Sequence, residues 1–165
     1  MTNSPKPPAI AGADKPNLGR PIHGFRRTIG YESKVWAERY GEVTLAIDGR
    51  HDNSHGRVHG GIYAALLDAA FGHAVAFCST PERTRLAVTI TLQITYLAAA
   101  KSGVLTAKGW VLDVTGRVAS CRGEVWVDDG TGVGTLCATG VASFMYKAGS
   151  EAPDGVPMSV RKMGM

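Results

Sequence analysis

Residues 59–77, HGGIYAALLDAAFGHAVAF, constrain the fold more than any other part of the chain. The segment opens on a glycine pair, runs apolar for the length of a helix, and carries Asp68 as its single carboxylate. Leu, Ala, Phe and Val fill most of the rest, so a helix here is apolar around most of its circumference and belongs under a sheet. A carboxylate in such a helix calls for a partner or a function, because burial alone disfavours its charged form.

The flanking sequence supplies the sheet. Residues 30–37 and 42–47 read as short strands about an Arg39-Tyr40-Gly41 turn, with Val43, Leu45 and Ile47 alternating against Thr44 and Ala46. The polar stretch GRHDNSHGRV, residues 49–58, is rich in turn formers and reads as a loop that brings polar side chains to the helix N-terminus. Beyond the STPERTR loop, VTITLQITY alternates strictly: Val88, Ile90, Leu92, Ile94 and Tyr96 take one face, and Thr89, Thr91, Gln93 and Thr95 the other. Residues 104–114, 117–127 and 135–146 follow as strands, joined at Thr115-Gly116 and at residues 128–132, and such hairpins make the sheet antiparallel. One long apolar helix followed by a meander of strands predicts an α+β fold in which a curved sheet wraps the helix.

At 165 residues and 44% hydrophobic, the chain suits one domain. That domain is expected over residues 22–147, between a Pro-rich disordered arm at 1–21 and a mobile polar tail at 148–165. The net charge of +4 comes from scattered Lys and Arg, without the basic stripe of a nucleic-acid binder. The N-terminus lacks the apolar core of a signal peptide, and Asp68, Gly72 and His73 interrupt the longest apolar run. The expectation is a cytoplasmic protein with no nucleic-acid or membrane partner. Cys78, Cys121 and Cys137 share no metal-ligand spacing and sit among apolar residues, as reduced core cysteines do.

Asn53, then His59, Gly60 and Gly61, then Asp68 eight residues after the first glycine, followed by the four-strand meander, resemble the hotdog-fold acyl-CoA thioesterases of the phenylacetate-pathway (PaaI-like) type. The resemblance covers residues 22–147. It implies hydrolysis of a small aromatic or medium-chain acyl-CoA, with coenzyme A entering only as part of the substrate and no other cofactor. It also implies a homodimer, often paired again into a homotetramer. The carbonyl-binding and orienting positions of the family fall on Asn53, His59 and Gly60, and its acid falls on Asp68. Contacts to the acyl-pantetheine arm fall on Gly61, Thr89, Tyr96 and the segment to Lys101, with Gly116 and Arg117 near the nucleotide. Two departures bear on coenzyme A affinity: Leu97-Ala98-Ala99-Ala100 lacks the proline usual there, and Val114 replaces a common basic residue.

The chemistry can be argued from the residues themselves. Thioester hydrolysis needs an activated water or a carboxylate nucleophile, and donors aimed at the developing oxyanion. Asp68 suits the first task, and the Gly60 N–H, unpaired at a helix N-terminus, suits the second. Eight residues of helix span about 12 Å, too far for one carbonyl to touch both, so a shared reaction requires the acid from a second subunit across a two-fold axis. Lys101 and Arg117 are candidate phosphate partners, and Tyr63, Phe71 and Gly72 are candidates for lining the acyl pocket. A protein that binds acyl thioesters without cleaving them is one rival reading. A metal site built from His51, Asp52, His55, His59 and Asp68 is the other, but GRHDNSHGRV is a poor helix for presenting histidines four apart, and no metal is expected.

Overall fold

The structure is a computed structural model that describes residues 24–130 and 133–159. The arm expected at residues 1–21 lies outside the described residues. A six-stranded antiparallel sheet runs in the order β1-β2-β5-β6-β7-β4. Its strands are β1 (Glu32–Ala37), β2 (Tyr40–Ala46), β4 (Ala87–Tyr96), β5 (Val104–Thr115), β6 (Val118–Asp128) and β7 (Thr135–Tyr146). A short helix, α1 (Gly24–Ile29), precedes it, and the long helix α2 (Gly60–Val75) crosses from β2 to the far edge, where β4 begins. The α+β expectation holds, with the apolar helix against one face of the sheet.

The apolar residues of α2 choose its buried face. Ile62, Tyr63, Leu66, Leu67, Ala70, Phe71, Ala74 and Val75 are buried, and each large one contributes about 1.5–3 kcal/mol when fully removed from water. The helix can lie this close because four glycines face one another across the sheet: Gly41 opposite Gly109, Gly109 opposite Gly123, and Gly123 opposite Gly140. A Cβ on Gly109 would lie 2.9 Å from the Ala70 and Phe71 backbone, and one on Gly123 would lie 2.6 Å from the Phe71 ring.

Three local expectations are corrected. The first turn is Glu38-Arg39, with Arg39 left-handed at φ 58°, while Tyr40 and Gly41 already belong to β2. The alternation in β4 breaks between Thr89 and Thr91, where Thr89 pairs with the buried Phe144 and Thr91 with Ser143. Ile90 is the extra residue of a bulge, so Thr89 turns to the helix side while Thr91 keeps the outer face. The described part of the tail, residues 148–159, folds back: β8 (Val156–Pro157) pairs with β3 (Arg83–Thr84), and Arg85 donates to the carbonyls of Ser150 and Glu151. Arg83, hidden like Arg85 in a polar loop sequence, donates to the carbonyls of Asp154 and Gly155.

All three cysteines are buried free thiols, and burial pushes the Cys121 thiol up to about 12. Among the described residues, no helix is long and apolar enough to cross a membrane.

Candidate active site

The loop before α2 is built by its polar residues. The Asn53 side-chain oxygen accepts from the N–H groups of His55 (2.8 Å) and Arg57 (3.2 Å), with Gly56 left-handed at φ 64°, an Asx-type turn. Its oxygen is committed to the loop, which leaves the side-chain NH2 as the group able to donate to a ligand. His51 is buried: Nδ1 accepts from Asp48 N–H at 3.0 Å, and Nε2 donates to the Ile29 carbonyl at 2.9 Å. Its own carbonyl accepts from His59 N–H at 2.7 Å. His51 is therefore a pillar between α1 and the loop, with both ring nitrogens occupied, which removes it from a metal-ligand set. Among the described residues, no three His, Cys, Asp or Glu side chains are grouped to hold a metal ion.

His59 is the N-cap of α2. Its Nδ1 accepts from Gly61 N–H at 2.9 Å, and its carbonyl accepts from Ile62 N–H at 2.9 Å. The Gly60 N–H makes no hydrogen bond among the described residues. It is an unspent donor at the positive end of a sixteen-residue helix. Above it lies Tyr96, whose hydroxyl donates to the Gly60 carbonyl at 3.1 Å. Tyr63 is buried and accepts from Ala100 N–H at 2.9 Å, which fixes the segment leading to the exposed Lys101.

Asp68 lies two turns further on, half-buried at the margin of the helix face turned away from the sheet. The Thr89 hydroxyl donates to Asp68 Oδ1 at 2.7 Å, and no Lys, Arg or His pairs with the carboxylate among the described residues. Tyr31 senses the same charge: burial raises its pKa, Arg26 lowers it, and Asp68 raises it. Arg26 stacks over the Tyr31 ring at 5.5 Å.

The candidate residues thus fall into two groups in one chain. His59, Gly60, Gly61 and Tyr96 gather at the helix N-terminus, with Asn53 in the loop that precedes it and Lys101 close along the chain to Tyr96. Asp68 and Thr89 meet further along. Gly116, left-handed at φ 56°, and Arg117 sit at the hairpin between β5 and β6, separated from the start of β4 by β7. Arg117 is no open surface charge, since Nε and a terminal nitrogen both donate to the Tyr146 carbonyl at 2.9 and 2.8 Å. The acyl-pocket expectation for Phe71 and Tyr63 is corrected: Phe71 is core, edge-on to Phe144, and the Tyr63 hydroxyl is spent on Ala100.

The sequence missed the Thr89–Asp68 contact, because strict alternation puts Thr89 on the wrong face and nothing in VTITLQITY announces the bulge. It also missed the Ser33 hydroxyl, 2.7 Å from His73 Nε2, with Nδ1 donating to the Ala69 carbonyl at 2.6 Å.

The sequence profile of the thioesterase superfamily matches residues 55–133, a span that includes the helix N-terminus, Asp68 and β4. A Pseudomonas aeruginosa protein provisionally named an esterase, PA0474, is 36% identical over 67 residues, 41% of this chain and 48% of its own length, so the match spans about half of that curated relative. The conserved protein PA5202 of the same bacterium superposes with a TM-score of 0.67 at 25% identity, covering 76% of this chain and 95% of that one. The Escherichia coli PaaI protein of the phenylacetic acid degradation operon gives a TM-score of 0.64 at 21% identity, with 76% and 85% covered. Residues 55–133, which hold the helix and its His59-Gly60-Gly61 cap, thus resemble the thioesterase superfamily, and the helix packed on the antiparallel sheet is the hotdog fold.

Proposed function

We propose that this protein is an acyl-CoA thioesterase whose active site is shared between two copies of the chain. The observation that carries the reading is Asp68: a carboxylate on an apolar helix, without a cationic partner among the described residues, held by one hydroxyl and half open to solvent. A purely structural acid would be closed in by donors; this one keeps lone pairs free. The unspent Gly60 N–H supplies the complementary electrophilic group.

In the proposed reaction the thioester carbonyl accepts from Gly60 N–H, and Asn53, whose NH2 is left able to donate, is the candidate second donor. Asp68 of the other copy takes a proton from water as the water oxygen bonds to the carbonyl carbon. The carbonyl electron pair moves onto oxygen, where the amide holds it. Collapse breaks the C–S bond, and the proton passes from Asp68 to the departing coenzyme A thiolate. Alternatively Asp68 attacks directly, forming an anhydride that water then hydrolyses. Either way the products are the free acid and coenzyme A, and no redox or metal step is needed.

The assembly follows from distance. Gly60 and Asp68 are about 12 Å apart along one helix. The edge strand β4 offers exposed Val88 (67%), Ile90 (49%) and Tyr96 (54%) beside unpaired backbone, a surface that a second copy would cover. Lys101 is the better candidate for the coenzyme A phosphates, because Arg117 is tied to Tyr146. The substrate class is a small aromatic or medium-chain acyl-CoA.

The test is thiol release from benzoyl-, phenylacetyl-, hexanoyl- and decanoyl-CoA, with Asp68→Asn beside the wild type. Turnover of at least one ester is expected, with kcat falling roughly 10²- to 10⁴-fold in the variant. Binding without thiol release would make the protein a carrier instead. A folded, oligomeric Asp68→Asn protein with wild-type kcat would take the acid out of the mechanism.

A further inference from the structure

The peptide between Gly60 and Gly61 is held at both ends by side chains. Its N–H donates to His59 Nδ1 at 2.9 Å, and its carbonyl accepts from the Tyr96 hydroxyl at 3.1 Å. The preceding peptide, His59 to Gly60, is held only at its carbonyl, by Ile62 N–H at 2.9 Å, and its N–H is the unspent donor. Holding the second peptide plane narrows the directions open to the first, because only the Gly60 φ and ψ lie between them. Gly60 opens α2, so the helix already restrains its φ and ψ, and the Tyr96 hydroxyl adds a side-chain hold on the residue type most able to turn there.

Tyr96 is itself located. Its ring packs edge-on to the buried Tyr63 at 6.0 Å, and a Cβ on Gly60 would touch it at 3.4 Å. The Tyr63 hydroxyl in turn holds Ala100 N–H, four residues beyond Tyr96, so the end of β4 is tied to the helix through two tyrosines. We propose that Tyr96 is a positioning residue for the amide that receives the oxyanion, acting through the Gly60 carbonyl, and that it makes no direct contact with the acyl-pantetheine arm. The hydroxyl also polarises the peptide it binds, which strengthens the Gly61 donor to His59 and favours the tautomer with its proton on Nε2. β4 therefore serves both halves of the chemistry: Tyr96 holds the amide and Thr89 holds the acid.

This inference rests on the thioesterase reading, and the experiment separates the two. Tyr96→Phe keeps the ring and its packing on Tyr63 and removes only the hydroxyl. In the full-length protein, kcat for the best substrate of the panel is expected to fall about tenfold, the rate equivalent of one ordinary hydrogen bond, with KM within twofold. The thermal midpoint and oligomer size are expected to stay unchanged. The decisive signature is spectroscopic. The ketone analogue of that acyl-CoA, with a methylene between carbonyl carbon and sulfur, should show a carbonyl stretch lowered on binding to wild type, and Tyr96→Phe should return it towards the free value.

A raised KM with unchanged kcat would mean that Tyr96 touches substrate directly and would overturn the proposal, as would an unshifted carbonyl band with wild-type kcat. If the wild type hydrolyses no ester of the panel, the catalytic reading fails alone. The carbonyl band, read on the hexanoyl ketone analogue, then still decides the role of Tyr96, and a band equal in both proteins, or no binding of the analogue, rejects it.

Discussion

Gly109→Ala tests the row of glycines that lets the helix approach the sheet. An added Cβ would sit 2.9 Å from three atoms: the Ala70 carbonyl carbon, the Phe71 nitrogen and Phe71 Cδ1. Two of these are helix backbone, so no side chain can swing aside, and α2 must lift or the strand must bow. Overpacking of this kind costs about 1–3 kcal/mol. For a chain of this size that lowers the thermal midpoint by about 2–4 °C per kcal/mol, hence by roughly 2–12 °C. The control is Gly134→Ala, whose Cβ would meet Trp126 at 3.6 Å and the Val127 carbonyl at 3.8 Å, ordinary contacts, and whose stability should move by less than about 0.5 kcal/mol. Melting both variants beside the wild type by circular dichroism gives the comparison directly. The reaction should report it too, since lifting α2 changes where Asp68 sits against Thr89. Equal midpoints for the two variants would refute the claim that close packing, and not strand propensity, requires glycine at position 109.

Thr89→Val removes the hydroxyl that Asp68 accepts from; kcat for thioester hydrolysis should fall roughly tenfold, with Thr89→Ser restoring most of it, and equal activity of Val and Ser variants would count against the contact. Gly72→Ala adds a Cβ that meets nothing within 4 Å in the single chain and should stabilise an isolated helix by up to about 1 kcal/mol. If a second copy's helix packs on this face, light scattering on dilution should instead show weaker association, and an unchanged dimer would argue against that packing. Burial lowers the pKa of His73 below its ordinary value, so its neutral ring stabilises the fold above pH about 6.5, and that contribution is lost as pH falls from there through the folded-state value. The wild-type midpoint should therefore decline below pH 6.5 more steeply than that of His73→Gln, and parallel pH profiles would exclude this residue as the cause.

The sequence by itself determined the elements and the polar residues set along them. The apolar run with one acid required a helix under a sheet, the alternating runs and their turn residues required an antiparallel meander, and HGG before the helix required an open amide at its N-terminus. These are local consequences of side-chain periodicity and backbone freedom, so no distant contact was needed to read them. Tertiary structure decided what touches the acid. Thr89 reaches Asp68 because a bulge at Ile90 turns it inward, and a bulge is imposed by pairing with β7, which lies some fifty residues later in the chain. It also decided that Tyr96 binds the Gly60 carbonyl, that Arg117 is spent on Tyr146, and that residues 148–159 fold onto β3. The four glycines look scattered in sequence and become a single row only when the register of β2, β5, β6 and β7 is set. Periodicity says which face a residue prefers; register alone says what it meets there.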